Sequence, residues 1–90
     1  MMNLSQHASI RMQQRGIRAP VVDWLLAYGA VDHQRGAQFY FFDKRARLAL
    51  QRNVGEPLLQ RHAKALNAYV VCEGGEVITV GHRYRRVVRH

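Results

Sequence analysis

The chain has 90 residues, enough for one domain, and we treat residues 1–90 as a single unit. Its 14 Lys and Arg residues outnumber its 6 Asp and Glu residues, which gives a formal net charge of +8, and 48% of its residues are hydrophobic. This composition predicts a folded domain with a small core and a polyanionic partner, most simply nucleic acid. An acidic protein partner would satisfy the same electrostatics.

Arginine carries most of the positive charge, because Lys44 and Lys64 are the only lysines. Guanidinium grips phosphate through two parallel hydrogen bonds and stacks on bases, whereas lysine acts as a point charge. The single cysteine, Cys72, excludes an internal disulfide and a zinc finger of the usual kind, and indicates a reducing, cytoplasmic setting. The chain starts without a secretory pattern, and no apolar run approaches the roughly 20 residues that span a bilayer, so we expect no membrane partner.

Two helices are predicted at the start of the chain. The first covers residues 5–15, with Ser5 as its N-cap and Gly16 as its left-handed C-cap. The second begins near Pro20, which suits a first helical turn, and ends at Gly29. Because apolar residues surround its axis, we expect this second helix to be buried. The same composition disfavours a helix-turn-helix DNA reader, whose recognition helix must lie in a groove.

Two arginines of the first helix, Arg11 and Arg15, lie within or beside its apolar stripe, which consists of Leu4, Ala8 and Met12. Both are therefore predicted to be partly buried, facing the sheet or the second helix. A partly buried guanidinium needs an anion or several acceptors. Asp23 could supply an internal ion pair, or the two arginines could line a pocket for phosphate. His7 lies one turn before Arg11, so the two can act on one substrate group.

A hairpin and a helical pair follow. Residues 30–34 and 37–43 are predicted strands, joined by a turn that contains Gly36. Asp43 is the expected N-cap of a helix that ends at Gly55, and Pro57 is expected to start another over residues 57–67. In the second of these helices, Leu59, Ala63 and Leu66 should form an inward stripe. Arg61 and Lys64 should lie on its solvated side.

The last predicted hairpin joins residues 68–73 to residues 76–84 through Gly74 and Gly75. The order of elements is therefore α-α-β-β-α-α-β-β. Long helices and antiparallel hairpins in this order predict an α+β fold, in which one antiparallel sheet packs on helices.

The final strand runs into the basic stretch GHRYRR, residues 81–86. With unbroken alternation, His82 and Tyr84 share the core-facing row and Arg83 lies on the other face, whereas a bulge at Gly81 would re-aim both rows. Imidazole can move protons near neutral pH, phenol can bond to phosphate, and guanidinium can stabilise charge on phosphorus. These groups suit metal-free RNA cleavage, in which the 2′-hydroxyl attacks its own phosphate. A solvated strand end that resists aggregation is the alternative.

The stretch HASIRMQQRGI, residues 7–17, resembles the opening signature H-A-x-x-R-M-x-x-R-G-I of a bacterial family of small domains. The late VITV resembles the closing strand of the same family, which is similar to the RelE/ParE and BrnT toxin superfamily. The resemblance implies N-terminal helices on an antiparallel sheet and metal-independent cleavage of mRNA, often at the ribosome. It also implies a cognate antitoxin, expected to be acidic, and catalytic roles for His82, Arg83 and Tyr84. No cofactor is expected.

Three functions stay open at this point. The chain could be a ribonuclease toxin, a non-catalytic basic module that binds nucleic acid or an acidic protein, or a domain that inhibits an enzyme such as gyrase by protein contact. Metal catalysis is disfavoured, because the five histidines lack ligand spacing. Nucleic-acid contacts are expected from five residues: His7, Arg11, Arg15, Arg85 and Arg86.

Overall fold

A computed structural model describes residues 3–83 of the chain, which form four α-helices, a 3₁₀ turn and a five-stranded sheet. The strands are β1 (Asn3–Leu4), β2 (Ala30–Gln34), β3 (Ala37–Phe41), β4 (Ala68–Glu73) and β5 (Glu76–His82). The helices are α1 (Gln6–Arg15), α2 (Ala19–Tyr28), α3 (Lys44–Val54) and α4 (Glu56–Arg61), and the 3₁₀ turn covers Ala63–Asn67. The predicted α+β class is confirmed.

The helix boundaries follow the capping residues that the sequence predicts. The Ser5 hydroxyl accepts a hydrogen bond from the backbone N–H of Ala8 at 3.0 Å, and the Asp43 carboxylate accepts one from Ala46 at 2.7 Å. Gly16 ends α1 in the left-handed conformation with φ 64°, where a side chain would be strained. These contacts satisfy backbone groups that a helix end leaves without partners.

The sheet has the strand order β1-β5-β4-β3-β2. Strands β2 to β5 pair antiparallel with their neighbours, as predicted, but β1 pairs parallel with β5. The prediction of a wholly antiparallel sheet is therefore wrong at this edge. A strand of two residues shows no alternation in sequence, and it forms because Ser5 donates its backbone N–H to the carbonyl of Val77 at 2.9 Å.

A bulge lies in β5. This strand carries one residue more than β4 in their pairing, and the extra residue is Ile78. Val77 and Val80 are three positions apart, yet both are fully buried, because the bulge reverses the alternation between them. The irregularity considered at Gly81 thus occurs at Ile78. His82 keeps the core-facing side of Val80, as predicted.

The core lies between the helices and one face of the sheet. Helix α2 is the buried helix that the sequence predicts, and its Val21, Val22 and Leu25 are at most 1% exposed. The sheet meets the helices through Ala68, Val70, Cys72, Val77 and Val80. Because side chains alternate along a strand, Phe39, Phe41, Tyr69, Val71 and Arg83 belong to the opposite side of the sheet, which we call the second face.

The predicted helix over residues 57–67 is wrong beyond Arg61. Helix α4 ends there, and His62 leaves the helical conformation with φ −118° before the 3₁₀ turn begins. The His62 ring packs edge-on against the Trp24 ring, with 5.4 Å between the centroids. A tertiary contact to α2 therefore accompanies the break. Among residues 3–83, none of the helices combines the length and the apolar composition that crossing a membrane requires.

Candidate functional site

A cleft of about 550 Å³ opens where three parts of the fold meet: the α1–α2 turn, the α4–3₁₀ junction and the end of β5. Its volume lies within the roughly 300–1,000 Å³ typical of small-molecule sites. We call it the basic cleft, because six of its lining residues carry or can accept a positive charge: Arg15, Arg18, Arg61, His62, Lys64 and His82.

No carboxylate side chain lies among the residues that line the basic cleft. None of the six carboxylate side chains of the chain lines it, although all six lie within the described residues. Asp43 caps α3, and Asp32 accepts a hydrogen bond from Gln34, so these carboxylates act elsewhere. Like charges held together repel one another, and a bound anion relieves that repulsion. The cleft is therefore electrostatically suited to phosphate or another polyanion.

Helix ends place several of these cations. Arg15 is the last residue of α1 and Arg61 the last of α4, and the partial negative charge of a helix C-terminus favours cations there. Arg18 precedes α2 as its N-cap residue and forms no side-chain cap, so the first turn of α2 keeps its own positive potential beside the cleft. The C-termini of α1 and α4 therefore favour two of the cations that cluster in the cleft, Arg15 and Arg61.

Two imidazoles line the basic cleft, His62 and His82. Burial lowers the pKa of His82, and the positive charge of Arg15 lowers it further. His82 therefore favours the neutral form at neutral pH and can accept a proton. An anion bound beside it would act in the opposite direction and raise its pKa.

Two of the three predicted catalytic residues, His82 and Arg83, are not brought together. His82 lines the basic cleft on the helix side, whereas Arg83 lies on the second face. The Arg83 guanidinium carbon is 4.9 Å from the centre of the Phe41 ring, and its backbone N–H donates to the carbonyl of Asn67 at 2.6 Å. Tyr84 lies outside the described residues. His82 and Arg83 therefore serve different surfaces.

The predicted nucleic-acid contacts are also divided. Arg11 is partly buried, as predicted, and does not line the basic cleft. Arg15 lines the cleft but is exposed, so the prediction of partial burial is wrong for this residue. Nε2 of His7 is 3.2 Å from the Thr79 hydroxyl. Within residues 3–83, neither Arg11 nor Arg15 forms the ion pair with Asp23 that the sequence suggested. Arg85 and Arg86 lie outside the described residues.

Sequence reasoning missed four residues of the cleft: Arg18, Arg61, His62 and Lys64. Two of them, Arg61 and Lys64, were expected to be only a solvated side of a helix. They are indeed exposed, but both line the basic cleft together with His82 at the end of β5. The excess of arginine was the available signal, because a chain with so few carboxylates must leave cations without internal partners.

The basic surface continues past the cleft. A second depression of about 610 Å³ is lined by Arg18, Ala19, Pro20, Arg61 and His62. Three of these residues also line the basic cleft, so the two depressions share a wall. A ligand longer than one phosphate group could therefore extend from the end of β5 toward the start of α2.

The described part of the chain offers few other metal-binding or nucleophilic groups. It contains no group of three or more His, Cys, Asp or Glu residues placed to hold a metal ion. Cys72 is buried, and burial raises the pKa of its thiol, which favours the unreactive protonated form. Cys72 is thus a core residue.

Comparisons with protein-family models, curated proteins and solved structures found no match. The similarity to the RelE/ParE and BrnT superfamily therefore stays a prediction from the motif at residues 7–17.

Proposed function

We propose that the protein binds the phosphate backbone of a nucleic acid in the basic cleft. One observation carries this proposal: Arg15, Arg18, Arg61 and Lys64 line a single concavity that no carboxylate side chain shares. These cations come from two separate segments of the chain, residues 15–18 and residues 61–64. One guanidinium can donate two parallel hydrogen bonds to one phosphate, so such a site fixes the orientation of the phosphate as well as attracting its charge. The motif resemblance favours RNA as the nucleic acid.

A charge-reversal experiment tests the proposal. The double variant Arg61→Glu/Lys64→Glu places two negative charges at the cleft, whereas Arg45→Glu/Arg52→Glu places them on exposed positions of α3. Both variants change the net charge by the same amount, so the long-range field of the protein is matched. Binding of a short fluorescent RNA, measured by anisotropy at low salt, should weaken about tenfold more in the cleft variant. Equal losses in the two variants would place binding elsewhere.

A second candidate function is metal-independent RNA cleavage in the same cleft. The observation that favours it is the pair of imidazoles, His62 and His82, beside Arg15. His82 has a lowered pKa and can take the proton of a ribose 2′-hydroxyl, whose oxygen then attacks the adjacent phosphorus. The bond from phosphorus to the 5′-oxygen breaks, and His62, the second imidazole of the cleft, would donate the proton that the leaving oxygen needs. Arg15 would stabilise the charge that builds on the phosphate.

The products distinguish this chemistry from other cleavage. An attack by the 2′-hydroxyl leaves a 2′,3′-cyclic phosphate and a free 5′-hydroxyl, and the reaction proceeds in EDTA. RNA with 2′-deoxy substitution at every position should remain intact while still binding. RNA that stays intact in the presence and absence of ribosomes would exclude the cleavage candidate and leave the binding function.

The motif at residues 7–17 supports a narrower proposal, namely a RelE-like fold and a toxin role. Two N-terminal helices packed on antiparallel strands are compatible with that fold class, which by itself does not establish activity. An acidic antitoxin would match the net charge of +8. We place this role in the cytoplasm, in keeping with a buried free thiol at Cys72. Induced expression in a bacterial host, with growth and mRNA integrity followed, tests the toxin role.

A further inference from the structure

A small pocket on the second face lies apart from the basic cleft. It has a volume of about 180 Å³ and is lined by Phe39, Tyr40, Phe41, Tyr69 and Arg83. This volume is below the roughly 300 Å³ at which sites for drug-sized molecules begin. The pocket therefore suits one flat ring system. Among the described residues, Arg83 is the only charged one that lines it.

Strand pairing and contacts with neighbouring residues fix the positions of two aromatic rings of this pocket. Phe41 and Tyr69 are directly paired across β3 and β4. Tyr69 lies over Gly81 so closely that a Cβ atom at Gly81 would come within 2.7 Å of the phenol oxygen. The absence of a side chain at Gly81 thus allows the ring to lie against the backbone of β5. The guanidinium of Arg83 lies over the Phe41 ring, in cation–π geometry.

We propose that this pocket stacks an unpaired base of a single-stranded nucleic acid. The inference rests on the proposed function, in which the basic cleft holds the phosphates of the same strand. Aromatic rings stack on every base, and a guanidinium beside them adds attraction for both the base and its phosphate. A net charge of +8 and the positive charge of Arg83 in the pocket favour a polyanion over an apolar protein segment.

The end of β5 connects the two sites. His82 and Arg83 are adjacent in the chain, and they line the basic cleft and the second-face pocket respectively. Their Cα atoms are separated by one peptide unit of about 3.8 Å. A flexible strand can pass around this end with its phosphates toward the cleft and a base on the rings. A duplex cannot, because its bases are paired and stacked. The protein should therefore prefer single strands to duplexes.

The test separates bases from phosphates. Wild-type protein and the variant Phe41→Leu are titrated with a short single-stranded RNA and with an abasic strand of equal length, which keeps the phosphates. Leu48→Ala, at an exposed apolar position on α3, is the matched control. Circular dichroism checks that each variant is folded, and Phe39→Leu replaces Phe41→Leu if the latter is not. Wild-type protein should bind the RNA roughly 5- to 100-fold more tightly than the abasic strand.

In Phe41→Leu that preference should shrink severalfold while the affinity for the abasic strand stays unchanged, and Leu48→Ala should behave as wild type. Wild-type protein that binds both strands equally would overturn the stacking proposal and leave the phosphate-binding function intact. Binding of neither strand would overturn both. A preference that is unchanged in folded Phe41→Leu would assign the second face to another partner, such as a protein, and also overturn the proposal.

Discussion

The basic cleft and the second-face pocket lie at the same end of β5 but differ in almost every physical property. The cleft is lined by permanently charged groups and two imidazoles, whereas the pocket is lined by aromatic rings and one arginine. The first arrangement is suited to binding charged groups and the second to binding a flat apolar surface, so we expect salt to weaken binding at the cleft more than at the pocket. Because consecutive side chains of a strand lie on opposite faces of the sheet, His82 lines the cleft and Arg83 lines the pocket.

This difference shows how a small domain can present two kinds of contact without a large site. A chain of this size has a small core, and here the helices use only one face of the sheet to build it. The other face stays available for aromatic side chains, among them Phe41, which is only partly buried. Each region can therefore be changed by mutation without changing the other.

The largest expected effect concerns the second candidate function. His82→Gln removes the proposed base from the basic cleft but keeps a polar side chain of similar length. If the protein cleaves RNA, the rate should fall by about 10²- to 10⁴-fold, the usual contribution of a proton-transferring group, while RNA affinity changes little. His33→Gln, at an exposed position of β2, is the control. The measurement is cleavage of end-labelled RNA in EDTA, and a rate unchanged by His82→Gln would remove that residue from the mechanism.

An effect of intermediate size is expected at Gly81. A Cβ atom there would lie 2.9 Å from two ring carbons of Tyr69, so Gly81→Ala must displace the ring. Urea denaturation should show a loss of about 1–3 kcal/mol in the free energy of unfolding, typical of overpacking. The loss should be smaller when Gly81→Ala is made in a Tyr69→Leu background, since the two residues are in contact. Equal losses in both backgrounds would contradict this geometry.

The smallest expected effect is the pH dependence of binding. The folded protein lowers the pKa of His82, so protonation opposes folding of the free protein. This residue's contribution to stability is present above the unfolded pKa of about 6.5 and is lost as the pH falls below it. A phosphate bound beside His82 has the opposite effect on its pKa, because the negative charge stabilises the imidazolium that Arg15 destabilises. Binding should therefore take up a proton.

RNA affinity, measured at constant ionic strength, should rise about two- to fivefold between pH 7.5 and pH 5.5. Besides Arg15 and His82, the charged or titratable groups that line the cleft are Arg18, Arg61, His62 and Lys64. Because His82 is the group whose pKa the bound phosphate would raise, His82→Gln should make this rise smaller. An affinity that falls with decreasing pH would have the wrong sign for phosphate beside His82.

The sequence was informative where local physics decides the structure. Ser5, Gly16 and Asp43 mark helix ends because each satisfies backbone groups within a few residues of itself. Hairpin turns at Gly36 and Gly74 are local in the same way, and both adopt positive φ. Elements of this kind can be predicted without knowing the rest of the fold.

The sequence was uninformative where distant segments meet. The parallel pairing of β1 depends on a strand more than 70 residues away, and the break at His62 accompanies a contact with Trp24 on another helix. The basic cleft combines three segments, so the joint role of Arg18, Arg61 and Lys64 could not be read from their spacing. His82 was predicted on the core-facing row, but its place beside the α1–α2 turn and the α4–3₁₀ junction depends on how those distant segments pack.

The most direct test of the account is the salt dependence of RNA binding in two variants, one for each region. For wild type, the logarithm of the binding constant should fall against the logarithm of salt concentration with a slope of about −3 to −5. Arg61→Gln/Lys64→Gln should make the slope shallower by about 1 to 2, because it removes phosphate contacts. Phe41→Leu should lower the affinity and leave the slope unchanged. A slope that is the same in wild type and in the cleft variant would contradict phosphate binding in the basic cleft.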